Sequence, residues 1–554
     1  MRYSFHYFHV KSKVLKRIFF LLLLLNVLFA NAQAKKILYS AKLQDTNEEK
    51  YPGATRLIGE VQMVHEGAAL TCQQALYYKE KNFFKAIGNV YLKQGDTITQ
   101  TSDYADYDGN SKQVLSWGNV VLKDPTMILT SDTLQFDRLN QKLYYRSYAT
   151  IKDATNTLKS KNGNYYLTDK KFTATTSVNV VNPEHNLVSA HLDYYTNSGL
   201  TYFYGPTTIT NSKNKNKIYS EKGFYNTKTD VSHFVKNAKL FLKERTIEGD
   251  SLYYDKNRGF ASATNNIIVK DTVENFLTKG NYAELFELKD SLFIVDRAVA
   301  ITIIDKDSMF VHGDTLLVTG IPKERIIRTF NNVKIFKSDL QGKCDSIHTN
   351  QATGLTRMFK NPVLWADQNQ ITGDTIHLIT NTETEKLDSL KVLNNAFINS
   401  KDSLSIADFN QIKGRNIFGK FKDNSIRTLL VKGNAESVYY NRSELGVLES
   451  ISKEISSNIE FTLLKGEIET IKYLKTTEGK TYPPSKLPDH VKELKGFIWR
   501  EDEQPKKMAD IFIKEGENKK TTKTAKVLGA IKPMISSKLD ANKVPKGPVS
   551  LEKK

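Results

Sequence analysis

One string, GNVVLKDPTMILTSDTLQFD from Gly118 to Asp137, recurs with variations about every 30 residues and leaves this chain few folds to choose from. It contains a short Asn-Val-apolar strand, a Lys-Asp break, a second apolar strand, a Ser-Asp-Thr corner and a third strand ending in an aromatic residue. Upstream it reads GNVYLKQGDTITQTSDYADYD from Gly88 to Asp108. Downstream come GDSLYYD from Gly249, NNIIVKD from Asn265, GDTLLV from Gly313, CDSIHT from Cys344 and GDTIHL from Gly373. Asp103 and Asp132 are 29 residues apart, Asp314 and Asp345 are 31 apart, and Asp345 and Asp374 are 29 apart. A fixed period of this length predicts stacked supersecondary units rather than a single closed core.

Within each unit apolar residues alternate with polar ones, the period of a strand with one buried face. Val90 and Leu92, Val120 and Leu122, Leu240 and Leu242, and Ile267 and Val269 share that face in the strands after Asn. Leu134 and Phe136, and Leu252 and Tyr254, share it after the corner, with Tyr107, Tyr166 and Tyr195 assigned the place of Phe136 in their own units. Asn, Thr, Lys and Asp fill the opposite face, and helical periodicity is absent. The expectation is an all-β array from 56 to 440, a β extension from 441 to 500 with a hairpin at Lys465-Gly466, and a Lys-rich disordered tail from 501 to 554.

The recurrent polar residues read as structure before chemistry. Asp103, Asp132, Asp250, Asp314, Asp345 and Asp374 stand at corners, where a carboxylate can accept backbone N–H groups in an Asx-turn. Asn162, His191 and Lys222 replace them in other units, which suits a corner better than a ladder of metal ligands. Lys93, Lys123, Lys152, Lys243, Lys270, Lys306 and Lys337 close strands and make a charged margin against intermolecular pairing. His348 and His377 hold matching places, but no third ligand follows by spacing, so packing is expected and no metal or cofactor. No Gly-x-Ser-x-Gly, His-Glu-x-x-His, P-loop or Cys-x-x-Cys signature is present. Cys72 and Cys344 lie about nine units apart, too far in a linear stack for a disulfide, and should be free buried thiols.

Residues 1–34 read as a secretory signal: Lys11, Lys13, Lys16 and Arg17, then the apolar run Ile18–Ala30, then Ala32-Gln33-Ala34. The run is shorter than the ~20 residues a bilayer span needs. Residues 35–55 would be a linker. The net charge of +19 is concentrated at the ends, with +5 in residues 1–34 and +8 in residues 505–554, leaving +6 for the array. That balance and the export signal argue against nucleic acid as a partner.

The repeats GNVVLKDPTMILTSDTLQFD and NNIIVKD resemble the OstA-like (organic solvent tolerance) family of periplasmic proteins, which includes the bridge of lipopolysaccharide transport. GNAESVYY from Gly433 and LKGFIWR from Leu494 look like the C-terminal part of longer members. The resemblance covers about residues 56–430. It implies an open β-jellyroll trough with an apolar interior that holds acyl chains, and it brings no catalytic set. The chain departs from the short bridges in carrying more than twice the repeats, and from the outer-membrane translocon in lacking its barrel.

The partners implied are lipopolysaccharide or a related acylated glycolipid, and transport components of the inner and outer membranes. The place implied is the periplasm, with outer-membrane association. The groove candidates are Val90, Leu92, Val120, Leu122, Phe136, Tyr166, Tyr195, Leu240, Leu242, Tyr254, Ile267 and Val269. The first array strand, RLIGEVQMV from Arg56, alternates, lacks Pro and carries few charges, so Val61 and Met63 are candidates for a docking edge. Two rival readings are a secreted structural or adhesive solenoid and a β-helical carbohydrate-active enzyme.

Overall fold

The computed structural model describes residues 36–514, apart from 243, 272, 274–275, 305–306, 403, 406, 423–424 and 465–466. All of the signal and most of the Lys-rich tail thus lie outside the described residues, as does the Lys465-Gly466 hairpin. The chain divides into two units, Met1–Ile511 and Phe512–Lys554, and everything below concerns the first. It is a single antiparallel sheet of 35 described strands. At ~4.8 Å per rung, several rungs being shared by two short strands, the stack is on the order of 130 Å long.

The long strands pair with the next in sequence, as in Phe83–Gln94, Ile98–Asp108, Gln113–Asp124 and Met127–Asp137, and each of these pairs shows a register shift at mid-strand. In Gln113–Asp124, Trp117 faces Thr133 and Val120 faces Ser131, so two residues stand opposite one. The extra pair is Gly118-Asn119, at φ +76° and +50°. The same left-handed pair recurs as Gly88-Asn89, Lys236-Asn237, Asn265-Asn266, Asn331-Asn332 and Asn394-Asn395. Gly and Asn are the residues that enter this region at least cost, which is why the repeat spells GN or NN there. A bulge of this kind bends a strand sharply.

On the facing strand the corner is held by the residue before the Asp. Ser102 Oγ donates to Tyr104 O at 2.9 Å, Ser131 Oγ to Thr133 O at 3.0 Å, and Ser220 Oγ to Lys222 O at 2.8 Å. Cys72 and Cys344 take this same place, with Sγ donating to Gln74 O at 3.1 Å and Ser346 O at 3.3 Å. Both thiols are free and buried, and burial pushes Cys72 up to about 11 and Cys344 up to about 12. The corner carboxylate plays a different part from an Asx-turn. Asp103 accepts the Asn119 side-chain amide at 2.9 Å, Asp250 that of Asn266 at 3.0 Å, and Asp314 that of Asn332 at 2.8 Å. The Asp and the Asn pair are one device, joining each corner to the next rung.

The bends fold every rung over. Asp124 ends its strand, and Lys170 lies in the loop beyond Tyr166, in line with the opposite end of the same rungs. A straight strand of 12 residues would hold such ends ~40 Å apart. Lys170 Nζ nevertheless stands 2.6 Å from Asp124 Oδ2. The two half-sheets therefore face each other, with the apolar residues of both in one core from Leu57 to Val318.

Near the other end a second layer lies outside the sheet. Residues 484–511 run back across the rungs they follow. Buried Gln411 donates to Lys492 O at 2.6 Å, buried Asn399 and Gln370 both reach Ile498 O, and Lys334 Nζ reaches Asp510 O at 3.4 Å. Leu494 packs with Phe397, Val438, Tyr440 and Ile451 in a separate small core on that outer face, and Ile511 is buried further along. The stretch 501–511 is thus part of the folded array rather than of the tail.

The strand predicted to be the free edge is an inner one. Thr55–His65 pairs with Ala68–Tyr78 on one side and with Leu38–Ser40 and Leu43–Asp45 on the other. Val61 and Met63 are fully buried in the core. Residues 35–55, read as a linker, supply the outer rung, and its short strands are exposed along their length.

Candidate functional site

The inward positions follow a rule set by the corner: the third and fifth residues after the corner Ser, Cys or Gly point inside. From Ser131 these are Leu134 and Phe136, and from Ser102 they are Ala105 and Tyr107. From Ser160 and Ser189 the fifth residues are Tyr165 and Tyr194. The candidates Tyr166 and Tyr195, each one position further along, therefore face outward. Lys142 and Lys171 lie over the Tyr166 ring at 5.3 and 5.0 Å, and Tyr195 packs against Tyr202. The Tyr-Tyr dipeptide offered two registers, and only the corner distinguishes them. The remaining candidates lie on the inner face. Val90, Leu92, Val120, Leu122, Phe136, Ile267 and Val269 are buried, while Leu240, Leu242 and Tyr254 are partly exposed to the interior.

Across the first rungs the two lips of the folded sheet are clasped. Arg138, 6% exposed, donates to Gln94 Oε1 at 2.6 Å, to Tyr107 OH at 2.6 Å and to Glu66 O at 2.9 Å. His65 Nδ1 meets the same Tyr107 hydroxyl at 2.5 Å. Tyr165 OH donates to Asp124 at 3.3 Å, beside the Lys170 ion pair. Tyr194 OH donates to Asp153 Oδ2 at 2.6 Å. Burial works to raise Asp124 and Asp153, but hydrogen bonds outweigh it, from Lys170 and Thr126 for Asp124 and from Tyr194, Thr155 and Asn156 for Asp153. Both carboxyls stay below their usual range.

Further along the stack the tyrosine clasps stop, although Lys256 Nζ still reaches Glu184 Oε2 across the gap at 2.7 Å. Tyr225 and Tyr254 occupy the same inward position, yet Tyr225 donates to Asp230 at 2.8 Å and Tyr254 to Glu287 at 3.2 Å, both on the tyrosine's own lip. Loops 211–217 and 241–245 make no hydrogen bond or ion pair to the facing lip among the described residues. Beneath them lies an apolar cavity of about 220 Å³, lined by Ile209, Phe234, Leu240, Ile247, Leu252 and Ala261 among others. A more polar cavity of about 200 Å³ continues it, sharing Leu242, Val269, Leu285 and Leu292. The lips close again at Arg325 and Asp271, 2.6 Å apart and almost fully buried.

The cavity has a side-chain origin. Ala261 stands where Phe84, Val114 and Phe172 fill the interior of earlier rungs, four residues before the left-handed pair. Phe234, Ile247, Leu252 and Ala261 were not among the sequence candidates, although counting from the corner or the Asn pair finds each of them.

Residues 33–190 match the model of the OstA-like protein family. This stretch is OstA-like. The clasps made by Arg138, Tyr165 and Lys170 fall within that part, while Tyr194, Arg325 and most of the cavity lining lie beyond it. No match was found among curated proteins. Among solved structures, LptH of Pseudomonas aeruginosa is described as the LptA-homologous periplasmic component of a lipopolysaccharide transport device. It is 16% identical, with a TM-score of 0.18 and coverage of 19% of this chain and 76% of its own. A likeness over so small a share says nothing about the cavity rungs.

The rest of the chemistry is sparse. Among the described residues no group of three or more His, Cys, Asp or Glu is placed to hold a metal ion. No helix of the described residues is long and apolar enough to cross a membrane. His348 and His377 do not touch; Arg357 lies between them in register. Of the strand-closing lysines, Lys123, Lys152 and Lys270 are exposed at the lip, while Lys243 and Lys306 lie outside the described residues.

Proposed function

We propose that this is a non-enzymatic periplasmic bridging protein that carries the acyl chains of lipopolysaccharide or a related glycolipid in the interior of its folded sheet. The observation that supports this most is the apolar cavity beneath loops 211–217 and 241–245. An interior lined by Leu240, Leu252, Ile267 and their neighbours and reachable between loops 211–217 and 241–245 favours hydrocarbon, at ~0.8 kcal/mol per buried methylene. The OstA-like match over 33–190 is consistent with it. Transport components at either membrane would then be the partners.

The first rungs are filled by their own side chains, with Phe136 and Leu122 fully buried, so they offer no room at rest. The candidates around Ile267 and Tyr254 are therefore the primary lipid contacts. Those at Val90, Val120 and Phe136 would take lipid only if Arg138 and Lys170 release their lip. A photocrosslinker at Tyr254 is expected to capture acylated lipid in cells, one at Phe136 weakly, and one at outward-facing Gln135 not at all. Equal labelling at all three positions, with no lipid retained in native mass spectrometry, would favour a structural solenoid instead.

A further inference from the structure

The outer face of the rungs between Ile326 and Lys401 carries a row of basic side chains with no acid in it. Arg328 pairs with His348, His348 with Arg357, Arg357 with His377, and His377 with Lys391, each directly across from the next on adjacent strands. Leu317 and Phe418 bound the row. Five neighbours at ~4.8 Å spacing make a stripe ~20 Å long. Elsewhere on this molecule cations in such rows face acids, as Lys85 faces Asp106 and Lys239 faces Glu248, whereas here each cation faces only imidazoles or apolar residues. Here Arg328 has only the Thr319 hydroxyl, at 3.2 Å. Arg357 and Lys391 are exposed and form no ion pair among the described residues. Burial and the flanking cations hold both imidazoles below their ordinary range.

We infer that this stripe is a docking surface for an anionic membrane leaflet, with the molecule lying along the lipid headgroups. Three features select a lipid surface over an acidic protein strand. The flanking rows mix partly exposed apolar side chains, Ile326, Leu355 and Ile379 on one side and Phe330, Phe359 and Leu393 on the other, with the small polar ones of Asn350, Ser389, Ser346 and Thr375. That is the mix of cations and hydrocarbon that sits at a membrane interface. The backbone under the row is already paired on both sides, so no peptide strand can add to it. The sequence beyond residue 504 has 13 Lys against 5 acids, the composition that an anionic leaflet attracts. This inference does not depend on what the interior holds.

The test is co-sedimentation of the full chain with phosphatidylglycerol–phosphatidylcholine vesicles at physiological salt. The R328Q/R357Q/K391Q variant should lose on the order of 100-fold in partitioning, and R357Q or K391Q alone about fivefold. Because Arg357 and Lys391 are exposed, the single variants keep the fold and the experiment keeps its meaning should the triple variant unfold. K123Q/K152Q/K159Q removes the same charge from exposed sites elsewhere and should change binding less than about threefold. Wild-type binding by the row variants, or an equal loss in the control, overturns the inference. So does a result in which the row variants lose binding to polyglutamate but not to vesicles, which would assign the stripe to an acidic protein.

Discussion

Two runs of rungs built from one repeat, Thr55–Tyr195 and Leu200–Phe286, differ in how their lips are held. Both have the left-handed pair and an inward residue five after the corner, but the corner hydroxyl or thiol of Cys72, Ser102, Ser131, Ser160, Ser189 and Ser220 gives way to Gly249 and Gly280 in the second run. In the first run the tyrosine finds its partner across the gap, as Tyr165 does in Asp124 and Tyr194 in Asp153. In the second the partner sits on the same lip, Asp230 for Tyr225 and Glu287 for Tyr254. Moving one acid from one loop to the other turns the same tyrosine from a latch into a rim. With Ala261 in place of a phenylalanine, the second run lacks the tyrosine latches and is underfilled, and its lips are bridged instead by the ion pairs Lys256–Glu184 and Asp271–Arg325. Closure is therefore decided rung by rung, while the fold is decided by the repeat.

The largest effect that could break this contrast is a core truncation. Phe136→Ala should cost about 3–5 kcal/mol in urea or thermal unfolding, because a filled interior cannot collapse around the loss. Ala261→Phe, the reverse change in the open run, should leave stability equal or higher while lowering lipid capture at Tyr254 at least tenfold. If both substitutions behave alike, the two runs are not differently packed.

The latch itself comes next. Tyr194→Phe leaves the Asp153 carboxylate short of a cross-lip donor and should cost about 1–3 kcal/mol. Tyr225→Phe breaks a bond within one lip and should cost less than about 1 kcal/mol. Hydrogen exchange resolved along the chain would show opening near residues 153 and 194 in the first variant and little change in the second.

Acid offers a third probe. Asp124 and Asp153 have folded values below the unfolded reference of ~3.9, so the stability they give is complete above that reference and is lost as pH falls through their folded values. Exchange protection in the first run should therefore hold at pH 5 and decline only below about pH 4. Loss of protection already at pH 5–6 would contradict the assignment of these carboxylates as latches.

The smallest expected effect concerns the corners. Gly118→Ala puts a Cβ 2.8 Å from that of Asp103 at φ +76° and should cost about 1–2 kcal/mol. Lys236, at φ +65° in the equivalent place of the open run, should gain up to about 1 kcal/mol on replacement by Gly. Opposite signs from the two substitutions would show that the corner geometry is common to both runs.

The sequence by itself determined that the chain is a stacked β array. Alternation with period two and corners 29 to 31 residues apart are local facts, and backbone sterics translate them directly into strands and left-handed bends. It also placed Val120, Leu122, Phe136 and Ile267 inside, because their strands have unambiguous alternation. It could not choose between Tyr165 and Tyr166, since both parities of a Tyr-Tyr pair look alike until the corner fixes the phase. It pointed to Thr55–His65 as an edge because nothing in ILYSAKLQD announces a strand; those residues become one only by pairing with an existing template. The outer strap was invisible for a related reason, since Gln341, Gln370, Asn399 and Gln411 look like solvent-facing polar residues until a distant segment buries them. Which rungs are latched, and where the interior stays open, depends on contacts between loops some 40 residues apart. Only folding the sheet over brings those loops together.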